Sequence, residues 1–144
     1  MNRTPLSTDA ATAAAGLPDQ DRLQLLPAAL RAHAHGILTA EAAVELLIAN
    51  PPWLQRRDFV VNFIDNLQPQ PGNTPMATVN WATALTALDA GNLPCSSGEG
   101  QLLRIAASLA EGIPVDLRTA LTDLDTTNTA QVAQAVLHAA GSRS

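Results

Sequence analysis

The stretch Leu93–Ile113, LPCSSGEGQLLRIAASLAEGI, carries a helix start and a helix stop within one run, and its flanks read as arranged to pack against it. Ser96 followed by Glu99 matches a capping box: the serine hydroxyl accepts from the third amide and the glutamate reaches back to the cap amide. Pro94 ends the preceding segment, and Gly112 followed by Pro114 stops the helix. Between these signals Leu102, Ile105, Ala106, Leu109 and Ile113 recur at the three-and-four spacing of one apolar face. Leu103 widens that face, as expected for a helix with neighbours on more than one side.

The rest of the composition extends the helical reading to the whole chain. Alanine and leucine abound, the aromatics are Trp53, Trp81, Phe59 and Phe63, and β-branched or aromatic runs of strand type are missing. At 144 residues this predicts one all-α domain, a compact bundle of about seven short helices around the 96–112 helix. All eight basic residues are arginine, and the net charge of −5 makes a mildly acidic surface that argues against a broad phosphate-binding face while leaving a local arginine patch open. A single cysteine excludes an intramolecular disulfide and points to a reducing compartment. Thr4–Ala15 is broken by Pro5, Ser7, Thr8 and Asp9 and lacks the apolar core of a signal peptide. No apolar run approaches the roughly 20 residues needed to span a bilayer. The expectation is a soluble, cytoplasmic protein without a membrane role.

Taken in order, residues 1–17 are small and polar and read as a disordered tail, with the helical domain over 18–141. Leu23, Leu26, Leu30 and Ala34 form a first helical stripe, in which Pro27 either kinks the helix or starts a second one; Gly36 ends it. Thr39 is placed to cap the next helix, with Val44, Leu47 and Ile48 inward and Asn50-Pro51-Pro52 as its stop. A further helix is expected from Trp53 to Leu67, burying Phe59 or Val60, then Phe63, Ile64 and Leu67. The proline-rich run 67–76 reads as an irregular connection between two helical halves. Asn80 then caps a helix carrying Trp81, Leu85 and Leu88. After the central helix, 114–124 gives a short one with Val115, Leu117 and Leu121 inward. Thr126–Ala140 gives the last, with Val132, Val136, Leu137 and Ala140 inward and Gly141 as its cap.

Candidate chemistry is sparse. Cys95 sits just before a helix N-terminus, where free amides favour a thiolate. A tyrosine-phosphatase-type loop would need arginine where Gln101 stands, and nothing in the sequence brings His138 to the thiol. Ser97-Gly98-Glu99-Gly100-Gln101, with Arg104-Ile105-Ala106 and later Leu124-Asp125, resembles the signature helix and D-loop of ABC-type ATPases. A chain without lysine has no GxxxxGK[ST] phosphate loop, and the 116–123 segment is no apolar strand, so this resemblance is rejected. His33 and His35 point to different helix faces and cannot share a metal. Gln55, Arg56 and Arg57 open the second helix of a helix–break–helix at 39–66, a position from which a recognition helix contacts DNA or a partner. Cys95, Glu99 and Arg104 are the one candidate polar site. No catalytic residue, cofactor site or metal site is assembled.

Residues 93–128, LPCSSGEGQLLRIAASLAEGIPVDLRTALTDLDTTN, resemble the C-terminal part of small uncharacterised proteins of high-GC actinobacteria; WLQRRDFV at 53–60 and the segment around Trp81 are similar to them too. The resemblance implies no activity. The functional expectation is a non-enzymatic helical module for protein–protein interaction, with homodimerisation open to it. The alternative is a DNA-associated regulator using the 39–66 pair, with nucleic acid not favoured. An enzyme with an unannounced cofactor ranks third.

Overall fold

The computed structural model describes residues 19–67 and 75–142, so the tail read at 1–17 lies outside the described residues, as does the stretch 68–74 of the proline-rich run. Among the described residues there are eight helices and one pair of strands, an all-α fold with a small two-stranded sheet. The helices are α1 Asp19–Ala34, α2 Leu38–Ile48, α3 Pro51–Gln55, α4 Arg57–Phe63, α5 Trp81–Asp89, α6 Ser97–Glu111, α7 Leu117–Thr122 and α8 Thr126–Ala139. The strands, β1 Ile64–Leu67 and β2 Met76–Val79, lie between α4 and α5.

The expected capping box forms on α6. Ser96 Oγ accepts from the Glu99 amide at 3.2 Å, and the Glu99 carboxylate accepts from the Ser96 amide at 2.9 Å. Gly112 closes the helix at φ +71°, a left-handed conformation that glycine adopts without a Cβ clash. Leu102, Leu103, Ile105, Ala106 and Ala107 are buried, while Leu109 and Ile113 are half-covered. The buried arc is wide because α2, α5, α7 and α8 all touch α6.

α6 shares the centre with α2, whose Ala42, Ala43, Val44, Leu46 and Leu47 are buried. Its inward face is broader than Val44, Leu47 and Ile48, because α1, α3, α6 and α8 cover it from several sides. Its start also differs from expectation. The helix begins at Leu38 with Ile37 in the cap position and no side-chain cap, so Thr39 does not cap it. Pro51 and Pro52 do more than stop α2; they fill the first turn of α3, where their missing amides cost nothing. α1 runs unbroken through Pro27, burying Leu26, Leu30 and Ala34.

The helix expected from 53 to 67 is three elements. The chain turns extended at Arg56 (φ −84°, ψ 120°), and α4 starts afresh. Along one straight helix, Trp53 and Phe59 would face about 120° apart. The break brings their ring centroids to 5.1 Å, with Phe63 5.7 Å beyond Phe59, so all three rings share one core. From Ile64 the chain is strand, antiparallel to β2 in the register Ile64↔Val79 to Leu67↔Met76. Ile64, Ala77 and Val79 are buried, but Leu67, expected inward, is exposed at the hairpin's end. Asn80 stands at the start of α5 without capping it; its side-chain Nδ2 donates to the Asp65 carboxylate across the hairpin at 2.9 Å.

The last two helices correct the inward faces. Asp116 and Asp125 cap α7 and α8, accepting from the amides of Thr119 and Asn128. Of α7 only Ala120 is buried, leaving Leu117 and Leu121 exposed. On α8, Val132 and Ala135 are buried, whereas Val136, Leu137 and Ala140 face outward. Both helices lie at the margin of the bundle and touch it along a narrow, alanine-bearing edge.

Candidate functional site

The candidate contact residues open α4, and the structure gives Arg56 a structural post. Its Nε and Nη2 donate to the Asp58 carboxylate at 3.0 and 2.7 Å, and Nη1 donates to the Pro94 carbonyl at 2.6 Å. The guanidinium carbon stands 4.9 Å from the Trp53 ring centroid, a cation–π geometry. Trp53 Nε1 in turn donates to the Glu99 carbonyl at 3.0 Å. Arg56 thus fastens the α3–α4 break to the start of α6. The Asp58 pairing raises the Arg56 pKa and lowers that of Asp58. Gln55 and Arg57 flank it, both exposed.

Glu99 and Arg104 lie within electrostatic reach of Cys95, and each already has a partner of its own. Partial burial, then the Glu99 charge, push the Cys95 thiol up, against the opposing pull of Arg56 and Arg104. That is the reverse of an activated nucleophile. The sulfur lies over the space beside Gly100, where a Cβ would meet it at 3.4 Å. Glu99 is committed to the capping box, and Arg104 pairs with Asp89. His138 is held elsewhere, by Glu41. His33 and His35 are both exposed, and among the described residues no group of three or more His, Cys, Asp or Glu is placed to hold a metal.

The feature that sequence reasoning missed is an open groove between α2 and α8, with a cavity of about 1030 Å³. The two helices run antiparallel. Leu38 lies against Gly141, Glu41 meets His138 Nε2 at 2.8 Å, and Gln131 Nε2 donates to the Ala49 carbonyl at 3.2 Å. Leu38, Leu46 and Ala49 form one wall; Ala130, Gln134 and Leu137 form the other. Gln131 Oε1 stays buried without a protein partner.

Both acids on this groove, Glu41 and Glu45, already accept hydrogen bonds from within the chain. The His138 hydrogen bond, then the Gly36 amide at 2.9 Å, hold the Glu41 carboxyl below its usual range. Glu45 accepts a two-pronged contact from Arg31, at 2.7 and 3.0 Å. α8 itself carries no Asp, Glu, Lys or Arg in TTNTAQVAQAVLHA. That uncharged run at an exposed margin was the legible signal; the helical periodicity drew Val136 and Leu137 inward instead.

No family model, no curated protein and no solved structure matches this chain. Among the described residues no helix is long and apolar enough to cross a membrane.

Proposed function

We propose that this chain is a non-enzymatic interaction module that docks a protein segment in the α2/α8 groove. One observation carries the reading: the groove combines exposed leucines with a rim whose two carboxylates already accept hydrogen bonds from the chain's own side chains. Covering Leu38 and Leu137 removes apolar surface from water, while the Glu45 carboxylate is already paired with Arg31 and the Glu41 carboxylate already accepts from His138 and the Gly36 amide. The alternative, a DNA-associated regulator, is weakened by Arg56, whose donors go to Asp58 and Pro94 rather than outward. A single cysteine, which cannot form a disulfide within the chain, suits a reducing compartment, and the cytoplasm is the proposed site of action.

The test is site-specific photo-crosslinking in the native cells. A photoreactive phenylalanine analogue at Gln134 lies in the groove; the same analogue at Arg118, exposed on α7, is the control. The expected result is one defined protein adduct from position 134 and none from 118. An absence of adducts from 134 beyond the control level counts against a docking groove.

A further inference from the structure

Resting on that reading, the groove and the chain that leads to it indicate what covers it when no partner is bound. We infer that residues 3–8, RTPLST, fill the α2/α8 groove of their own chain and hold it until a partner segment displaces them. Residues 1–18 lie outside the described residues and join the fold at Asp19, the start of α1. Arg31 on α1 grips Glu45 on α2 across a short turn, so the two helices run antiparallel and Asp19 stands beyond the C-terminal end of α2. At that same end Gln131 donates to Ala49, and Thr126 and Thr127 line the groove. A segment coming from Asp19 therefore enters beside the start of α8.

Reach decides which residues can act. The helical rise puts Asp19 roughly 18 Å before the level of Arg31 and Glu45, and Glu41 roughly 6 Å past it. Crossing from α1 over α2 adds no more than two helix spacings of about 8–10 Å each. The path from Asp19 to Glu41 is then roughly 30 Å, whereas the sixteen residues from Arg3 to Asp19 span up to about 50 Å. Leu17, two residues before α1, falls short; Leu6 arrives. Residues 3–8 span up to about 20 Å. The groove is of that length, running from Thr126 to Gly141 beside a 14-residue helix of about 21 Å.

Charge selects the same residues. Arg3 is the one cation and Asp9 the one acid before Asp19, so residues 4–8 bring no charge onto the uncharged wall of α8. Glu45 already holds the Arg31 guanidinium, whereas the two Glu41 oxygens take one bond each, from His138 and from the Gly36 amide. A carboxylate has about four lone-pair sites. With its side chain 25% exposed, Glu41 has room for the Arg3 fork. Leu6 then lies on the apolar walls formed by Leu46, Ala130 and Leu137. A second copy, by contrast, brings a net charge of −5 against −5. The tether also supplies a roughly millimolar effective concentration, at which a contact too weak to hold a separate peptide keeps the groove covered.

Photo-crosslinking of the purified full chain tests this. With the photoreactive phenylalanine analogue at Gln134, the expected product is an adduct within one chain, mapped by mass spectrometry to the peptide that carries Leu6. Its yield should not depend on protein concentration. Arg3→Glu and Leu6→Asp should each lower that yield about fivefold or more, with circular dichroism checking that the helices are unchanged. In cells the same two substitutions should raise the yield of partner adduct from position 134, because the groove is then vacated; an unchanged or lowered yield counts against the inference. A purified chain with no adduct to residues 3–8 overturns it, as does an adduct indifferent to both substitutions. Adducts that join two chains and grow with concentration overturn it in favour of a second copy. If the purified chain gives no internal adduct while position 134 in cells still crosslinks to another polypeptide, the docking groove stands without its internal occupant; if neither forms, both fall.

Discussion

Arg56 joins three pieces of chain with one guanidinium: Asp58 on α4, Pro94 before α6, and the Trp53 ring on α3. Replacing it with alanine removes a forked ion pair, a charge-assisted bond to a carbonyl and the ring contact. Half-exposed Asp58 reduces the worth of the ion pair, so Arg56→Ala should lower stability by about 1–3 kcal/mol in urea denaturation. Arg56→Lys keeps the charge but not the fork and should recover less than half of that. A loss of binding to duplex DNA without loss of stability would instead restore the regulator reading. Glu41 supplies the pH-dependent case. Its carboxyl is depressed in the folded state, so its contribution to stability is present above the unfolded carboxylate range and is lost as pH falls through the folded value. The stability gap between wild type and Glu41→Gln should accordingly close as the buffer is taken below about pH 4. A gap that persists unchanged well below that range would contradict the clasp. At this scale the sequence singled out Arg56 by its place beside Gln55 and Arg57 at the opening of a helix. It could not show that Pro94, distant along the chain, takes one of its donors.

The elements that were legible are those whose signals are local. The α6 capping box needs only residues three apart, and both of its bonds form. Ser96→Ala should cost about 1 kcal/mol, and Gly112→Ala about 1 kcal/mol through the left-handed backbone at that cap. Thermal denaturation checks both, and a neutral Gly112→Ala would mean that the cap relaxes to another conformation. The elements that were illegible depend on distant partners. Phe59, Val60, Phe63, Ile64 and Leu67 follow a helical period, yet Ile64–Leu67 is a strand because Met76–Val79 comes back to pair with it. The Asn80 amide seals that return by donating to the Phe63 carbonyl at 2.7 Å. Likewise, only the packing of Trp53 on Phe59 explains why the helix expected through Arg56 breaks there. Period alone also turned α8 inward along Val136 and Leu137, because it could not say that the narrow edge at Val132 and Ala135 would suffice.

For the whole molecule, composition settled the class: alanine and leucine in abundance with few aromatics gave a helical bundle, and the central place of 96–112 held once α2 joined it. The groove was not readable, because a concavity belongs to two helices far apart in sequence and to the charges that close around them. Its electrostatics lead to a prediction that separates this surface from a charge-matched one. Where oppositely charged patches hold two molecules, added salt screens the attraction and association weakens. The exposed face of α8 carries no formal charge, and the long-range interaction between two chains of net charge −5 is repulsion. Raising ionic strength should therefore leave any self-association of the chain unchanged or strengthen it, and a concentration-dependent thermal midpoint should move upward rather than down. The Arg31–Glu45 and Glu41–His138 pairs beside the groove are internal to one chain, so screening them acts on monomer and dimer alike. A dimer that dissociates as salt rises would mean that ionic contacts outside α8 hold it.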